Sequence, residues 1–211
     1  MESISDFSSS ANLIDTNRID VLVSRFCHLF PRVVAMELLW VCARTSHLTS
    51  REYPFDEWKQ KLLDSYIVVI PIVFYKEDGS EYLASNHYNI IISWIDANGS
   101  ICIERYEPNV SKGNLDKRLQ DMFEEHLNKK IKYISTEGLQ SKLNDKRLCG
   151  YHILYWMIYR LKHGKDKTEI MLVASKAKPF LEFCRCLEDE YKKFISGKKS
   201  ECERCVKKVL K

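Results

Sequence analysis

The chain has 211 residues, of which 45% are apolar and 29% are charged, and its net charge is +4. This balance is typical of a chain that buries a core, so it excludes an intrinsically disordered protein. There is no run of about 18 apolar residues, so no membrane span is predicted. With only seven glycines, the sequence contains no phosphate-binding loop and no dinucleotide fingerprint.

Residues 1–65 are predicted to form a helical extension packed on the core. A first helix is expected over residues 16–29. A second is expected from Pro31 through residues 32–44, because Pro is tolerated in a first helical turn and the following run is apolar on most sides. A third, short helix is expected after Pro54.

Residues 66–195 are predicted to form the core, because the pattern there changes to strands and longer helices. Residues 66–75 are β-branched and aromatic, which predicts a buried strand with Pro71 at an edge or a bulge. Two further strands flank an Asn-Gly turn, and helices and a short strand follow: residues 87–95, 101–106, 115–131, 132–136, 148–164 and 166–195, the last divided into two helices near Pro179. The elements predict an α+β fold, with a small antiparallel or mixed sheet flanked by helices.

The eight cysteines are expected to be reduced, in a cytoplasmic compartment, because the N-terminus lacks the pattern of a secretory signal. The motifs CRC (184–186) and CERC (202–205) contain four thiols that could bind one zinc ion. Residues two apart on a helix diverge, however, and no His completes the set, so neither a metal nor a cofactor is predicted.

Residues 196–211 are predicted to be a basic C-terminal tail. From Tyr191 to Lys211 there are eight Lys or Arg and two Glu, which gives this segment a net charge of +6. A tail of this kind is most often solvated, and less often it contacts nucleic acid or an acidic partner.

Cys149 is the first candidate for chemistry, because it begins the apolar run over residues 148–164. A thiol is a good nucleophile only as a thiolate, and both a helix N-terminus and a neighbouring His lower its pKa. Gly150 has no side chain, so backbone N–H groups there could approach an oxyanion. A buried structural cysteine is the alternative, and for a lone Cys it is the commoner one.

His87 and Glu107 are the candidate base and orienting acid. Hairpin pairing brings the end of the second strand beside the start of the first, so Glu107 is expected near His87, with Pro108 ending the strand. Glu104 should point to the other side of its strand, and Asp96 lies at the far end of the hairpin. The three residues fit the nucleophile, base and orienter pattern of cysteine hydrolases.

The runs HYNIIISW, IERYEPN and CGYHILYW carry these residues in the order His, acid, Cys. This pattern resembles the adenovirus-type endopeptidase and ubiquitin-like-protein protease clan of cysteine proteases, and it is similar to protease-like proteins of large DNA viruses. The resemblance covers about residues 66–164. It implies a papain-like fold with the nucleophile at the N-terminus of a central helix.

The clan usually has a Gln a few residues before the Cys, as an oxyanion donor. Here Gln140 lies nine residues before Cys149 and Asn144 lies five before it. Gln140 is preferred on residue type, with Asn144 or backbone N–H groups alone as the alternatives.

The resemblance implies a cysteine-type peptidase that cleaves peptide or isopeptide bonds in a protein substrate, either a viral polyprotein or a ubiquitin-like conjugate. The expected location is the cytoplasm of a host cell, or a virion if the protein is viral. Two alternatives stay open: an effector-type acetyltransferase on the same fold, which would use acetyl-CoA, and a non-catalytic binding protein that retains the fold.

Overall fold

The computed structural model of the protein describes residues 16–42, 53–75, 87–108, 115–138, 148–164 and 177–209. The helices in these ranges are α1 (Thr16–Cys27), α2 (Phe55–Leu63), α3 (Leu115–Leu127), α4 (Cys149–His163), α5 (Ala177–Ile195) and α6 (Cys202–Val209). The strands are β1 (Val33–Ala35), β2 (Leu39–Cys42), β3 (Ile67–Tyr75), β4 (His87–Ile95), β5 (Ile101–Glu107) and β6 (Lys132–Glu137). None of the described helices combines the length and the apolar character of a transmembrane segment.

The strands form one mixed sheet. Strand β3 pairs antiparallel with β4, β4 pairs antiparallel with β5, and β5 pairs parallel with β6. On its other side β3 pairs parallel with both β1 and β2, one after the other along its length. The predicted α+β class, with a mixed sheet flanked by helices, is confirmed.

The helix predicted over residues 32–44 is wrong, because the described part of this segment, through Cys42, contains β1 and β2. Val33 pairs with Ile67, and Leu39 pairs with Ile72. The run is almost continuously apolar, so its periodicity does not separate a buried helix from a buried strand. Residues 1–65 are therefore not purely helical, and their separation from the core at residue 65 stays a prediction.

Pro71 lies in an interior strand rather than at an edge. It falls between Val69, the last residue of β3 paired with β1, and Ile72, the first paired with β2. Proline has no backbone N–H, so it is best tolerated where a strand ladder is broken. The gap between β1 and β2 provides such a break.

Each face of the sheet is covered by its own apolar core. One core joins the sheet to α1, α4, α5 and α6, and the other joins it to α2 and α3. Strand β4 shows the division, since Tyr88, Ile90 and Ile92 belong to the first core and Ile91 to the second. Helix α4 is buried from Cys149 through Tyr159, which makes it the central helix of the first layer.

The C-terminal region corrects one expectation and leaves another open. Helix α5 begins at Ala177, with Pro179 in its first turn, where the missing N–H breaks no helical hydrogen bond. The helix predicted before Pro179 falls on residues outside the described part of the chain, so the division near Pro179 stays a prediction. Cys186 of α5 and Cys205 of α6 form a disulfide, so the expectation that all thiols are reduced is wrong for this pair. The bond takes one thiol from each cysteine motif, and the described residues contain no group of three or more side chains suited to a metal ion.

The described part of the basic tail is ordered against the core. Cys202, Cys205 and Val209 form the buried side of α6 and belong to the same core as α4. The tail as a separate unit and its contact with nucleic acid stay predictions.

Candidate active site

Cys149 is the first residue of α4, and only 5% of it is exposed. The residue before it, Leu148, is the N-cap, and no side-chain hydrogen bond caps the helix there. The N–H groups of a first helical turn have no acceptor within the helix, so they favour a negative charge beside them. This position favours an oxyanion next to Cys149.

The hairpin of β4 and β5 brings the acid to the histidine. Ile90 pairs with Tyr106, and one further step in this register places Asn89 opposite Glu107. His87 is two residues before Asn89, so it lies diagonally from Glu107 on the same face.

The hairpin turn is fixed at its far end. Oδ1 of Asp96 accepts hydrogen bonds from the backbone N–H groups of Asn98 and Ser100, each at 2.9 Å. Gly99 has a φ of 73°, a left-handed conformation that glycine adopts without strain. The turn determines the register, and the register determines which residues meet at the open end.

His87 contacts both of its predicted partners. Its Nε2 atom lies 2.6 Å from Oε1 of Glu107, and its ring also hydrogen bonds to the side chain of Cys149. Burial lowers the pKa of His87, but the hydrogen bonds to Cys149 and Glu107, with the charges of both groups, outweigh it and raise this pKa above its usual value. The site therefore favours an imidazolium between the sulfur of Cys149 and the carboxylate of Glu107.

Arg105 is a residue of this site that the sequence interpretation missed. Its Nη2 donates to Oε2 of Glu107 at 2.7 Å, its Nε to Oδ1 of Asn89 at 2.6 Å, and its Nη1 to Oδ1 of Asp116 at 2.6 Å. The side chain is fully buried. One signal was available: Arg105 stands two residues before Glu107, hence on its face of β5, and a buried arginine requires acceptors.

Glu104 points to the other face, as expected, and has different partners. Its Oε2 accepts a hydrogen bond from Nε of Arg160 in α4 at 2.8 Å, and its Oε1 accepts one from Oγ1 of Thr136 at 3.4 Å. The structure therefore brings Glu107 to His87 and uses Glu104 to attach α4 to the sheet.

Gly138 holds the strand end that carries the acid. Its N–H donates to the carbonyl oxygen of Glu107 at 2.5 Å. A Cβ at this position would lie 2.6 Å from the carbonyl oxygen and 2.8 Å from the Cα of Pro108, closer than a side chain allows. Only glycine fits this approach, and the sequence pattern did not single it out.

The predicted oxyanion donor Gln140 and its alternative Asn144 lie outside the described residues. His152, three residues after Cys149, is buried in α4 and stacks on Phe180 with ring centroids 4.4 Å apart.

No family model matches the chain, and no curated protein matches it. Solved structures are similar at low identity. The SUMO protease Ulp1 with its catalytic cysteine oxidized to a sulfenic acid is 13% identical, with a TM-score of 0.43 over 79% of this chain and 75% of that chain. The central domain of the uncharacterized Lpg1148 protein from Legionella pneumophila is 13% identical, with a TM-score of 0.47 over 84% of this chain and 99% of that chain.

A third similar structure is the effector protein XopD of Xanthomonas campestris bound to ubiquitin. It is 10% identical, with a TM-score of 0.44 over 95% of this chain and 91% of that chain. Identities and TM-scores at this level carry no conclusion about the function of this chain.

Proposed function

We propose that the chain is a cysteine-type peptidase that cleaves peptide or isopeptide bonds in a protein substrate. One observation carries the proposal: the imidazole of His87 hydrogen bonds to both the Cys149 side chain and the Glu107 carboxylate. The three groups are thus connected in the order nucleophile, base and orienting acid, which is the arrangement that nucleophilic acyl transfer requires.

In the first half of the reaction, the Cys149 thiolate adds to the substrate carbonyl carbon, a C–S bond forms, and an electron pair moves to the carbonyl oxygen. The N–H groups at the start of α4 stabilise this oxyanion. When the oxyanion collapses, the C–N bond breaks and His87 gives its proton to the leaving amine, which leaves a thioester on Cys149.

In the second half, His87 takes a proton from water, and the resulting hydroxide oxygen attacks the thioester carbonyl. Collapse breaks the C–S bond, releases a carboxylic acid and restores the thiolate. Glu107 keeps the imidazole in place and balances its charge in both halves. Gln140 is proposed to add a side-chain amide to the oxyanion site, with Asn144 as the alternative.

The substrate class follows from the resemblance of the three motifs. A viral structural polyprotein and a ubiquitin-like conjugate are the two proposed substrates, and either would present an extended segment to the cysteine. We also propose the cytoplasm of a host cell, or a virion, as the place of action.

Activity-based labelling tests the proposal. The protein is incubated with ubiquitin-like proteins that carry a C-terminal electrophile and with electrophilic peptides of polyprotein type, and the modified residue is identified by peptide mapping. We expect a thioether on Cys149 that is absent from Cys149→Ser and falls about 100-fold or more in His87→Ala, the usual size of a lost general base. Cys184→Ser removes a fully buried thiol elsewhere and should change nothing.

Absence of both labelling and cleavage with every probe would contradict the proposal and favour the non-catalytic binding protein. Acetylation of Cys149 by acetyl-CoA without cleavage of any substrate would also contradict it and favour the acetyltransferase.

A further inference from the structure

Arg105 is surrounded by acceptors on three sides. Strand β5 supplies Glu107, β4 supplies Asn89 and α3 supplies Asp116, each within 2.7 Å of a different nitrogen of the guanidinium. The hydroxyl of Tyr133 in β6 donates to the same Asp116 oxygen at 3.1 Å. A fully buried charge requires such pairing, and here the three acceptors come from three different elements.

The two oxygens of Glu107 are divided between two cations. Oε1 contacts His87, and Oε2 contacts Arg105. The guanidinium is planar and rigid, so a carboxylate bound to it is held in one orientation. Asp116, in turn, holds Arg105 from the α3 side of the sheet.

A second buried Arg–Glu pair on β5 shows what a purely structural pair looks like. Arg160 and Glu104 lie 2.8 Å apart on the opposite face, with side chains 11% and 1% exposed. This pair joins α4 to the sheet, and Glu104 hydrogen bonds to Arg160 and Thr136 on the face opposite to His87 and Glu107. It provides a matched control for Arg105.

We propose that Arg105 is a positioning residue: it holds the Glu107 carboxylate in its orientation against His87, and the reactivity of Cys149 depends on that orientation. The inference rests on the proposed function. Among the described side chains, the charged and titratable groups around Glu107 include His87 from β4, Cys149 from α4 through His87, Arg105 from its own strand and, beyond Arg105, Asp116 and Tyr133. In the backbone register, Glu137 of β6 lies beside Glu107.

The physical reason is the loss of the group that orients the carboxylate. Without the guanidinium, the Glu107 carboxylate is free to turn away from the His87 ring. The imidazolium of His87 then loses part of its stabilisation, and a less stable imidazolium supports the thiolate only at higher pH.

The test is the pH dependence of iodoacetamide alkylation at Cys149, followed by peptide mapping. We expect Arg105→Gln to move the half-maximal rate upward by about one pH unit, the smaller end of the effect of a neighbouring charge. Arg105→Lys keeps the positive charge but loses the planar guanidinium with its several N–H donors. The pH profile of alkylation for this variant should therefore lie between those of Arg105→Gln and the wild type. Arg160→Gln should leave the profile unchanged.

A double-mutant comparison identifies the route of the effect. If Arg105 acts through Glu107, then Arg105→Gln should cause no further shift in a Glu107→Gln background. A shift no larger than that of Arg160→Gln, or one that persists in the Glu107→Gln background, would overturn the inference. A wild type in which Cys149 is not selectively alkylated would instead contradict the proposed function.

Circular dichroism and thermal unfolding show whether Arg105→Gln folds. If Arg105→Gln does not fold, Asp116→Asn weakens the support of the same guanidinium. The Asp116 side chain is 34% exposed, so this substitution should disturb the fold less. We expect the plateau alkylation rate to fall about threefold, as for a modest loss of orientation. In a Glu107→Gln background, Asp116→Asn should cause no further fall. An unchanged plateau rate would overturn the inference.

Discussion

Nε2 of His87 lies 2.6 Å from Oε1 of Glu107, although the two residues are 20 positions apart in the sequence. The contact depends on one hairpin turn at the other end of their strands. It also places the histidine ring against the cysteine that begins the central helix. A local signal, the Asn-Gly turn, thus determines a contact between distant residues.

Glu107→Gln should make stability less dependent on pH. The folded-state pKa of His87 is raised, so its stabilising contribution is fully present below its unfolded value, near 6.5, and is lost as the pH rises through the folded pKa. In the acidic part of this pH range, we expect the free energy of unfolding of the wild type to exceed that of the variant by about 1–3 kcal/mol. The difference should narrow at alkaline pH. Urea unfolding across the range measures it.

Part of that difference comes from the lost hydrogen bond between Glu107 and Arg105, which does not involve His87, so a constant remainder is expected. His87→Ala removes the titrating group, and in that background the pH-dependent part should vanish. If the stability difference caused by Glu107→Gln depended on pH just as strongly in the His87→Ala background, His87 would not be the source of that dependence.

Gly138→Ala should damage the site as well as the fold. The new Cβ would meet the backbone of Pro108, so the strand end that carries Glu107 must move. We expect a loss of about 1–3 kcal/mol in the free energy of unfolding, the usual cost of overpacking, together with slower alkylation of Cys149. Gly197→Ala, between α5 and α6, serves as the control: its Cβ meets nothing within 4 Å, so it is strained only by its φ of 65°. It should lower stability without changing alkylation, and equal effects of both variants on alkylation would contradict the assignment.

Glu190 should stabilise the start of α6. Its buried Oε2 accepts from the N–H of Glu201 at 2.8 Å and from Oγ of Ser200 at 3.1 Å, and Nζ of Lys193 donates to Oε1 at 3.2 Å. Burial raises the pKa of Glu190, but these hydrogen bonds outweigh it, so the folded-state pKa lies below the ordinary value of 4.5.

A lowered pKa means that the stabilisation is present above pH 4.5 and is lost as the pH falls through the folded value. We expect Glu190→Gln to cost about 1–3 kcal/mol at neutral pH and progressively less in acid, measured by urea unfolding. Glu203→Gln, at an exposed position of α6, is the control. A cost that did not change with pH would exclude the carboxylate charge as the cause.

Reduction of the disulfide should loosen α6. The bond between Cys186 and Cys205 closes a loop with a sequence separation of 19, for which chain entropy predicts about 3 kcal/mol. In a chain of this length that corresponds to a fall in Tm of about 6–12 °C. Calorimetry with and without reductant measures it, and Cys186→Ser should show the lower Tm in both conditions. A Tm insensitive to reductant would contradict the bond's contribution.

The sequence predicted the elements whose signals are local. The β4–β5 hairpin follows from an alternating pattern around a turn, and α4 from a long apolar run that begins at Cys149. Strands β1 and β2 were missed because an apolar segment fits a buried strand and a buried helix equally well, and only pairing with β3 decides between them.

Long-range pairings were beyond reach for a related reason. Arg105 finds Asp116 only after α3 packs on the sheet, and the spacing of cysteines does not reveal that Cys186 pairs with Cys205. Gly138 is required by the close approach of the backbone at Pro108, which no local pattern encodes.

The central claim is that Cys149 is an activated nucleophile, and competitive alkylation at mildly acidic pH tests it most directly. Cys102 is the internal reference, because it is also 5% exposed and its sulfur lies 3.8 Å from a carboxylate oxygen of Asp96. We predict that limiting iodoacetamide labels Cys149 at least about tenfold faster than Cys102, as expected for a thiolate beside a protonated His. We also predict that His87→Ala removes this advantage. Equal labelling of Cys149 and Cys102 in the wild type would contradict the account.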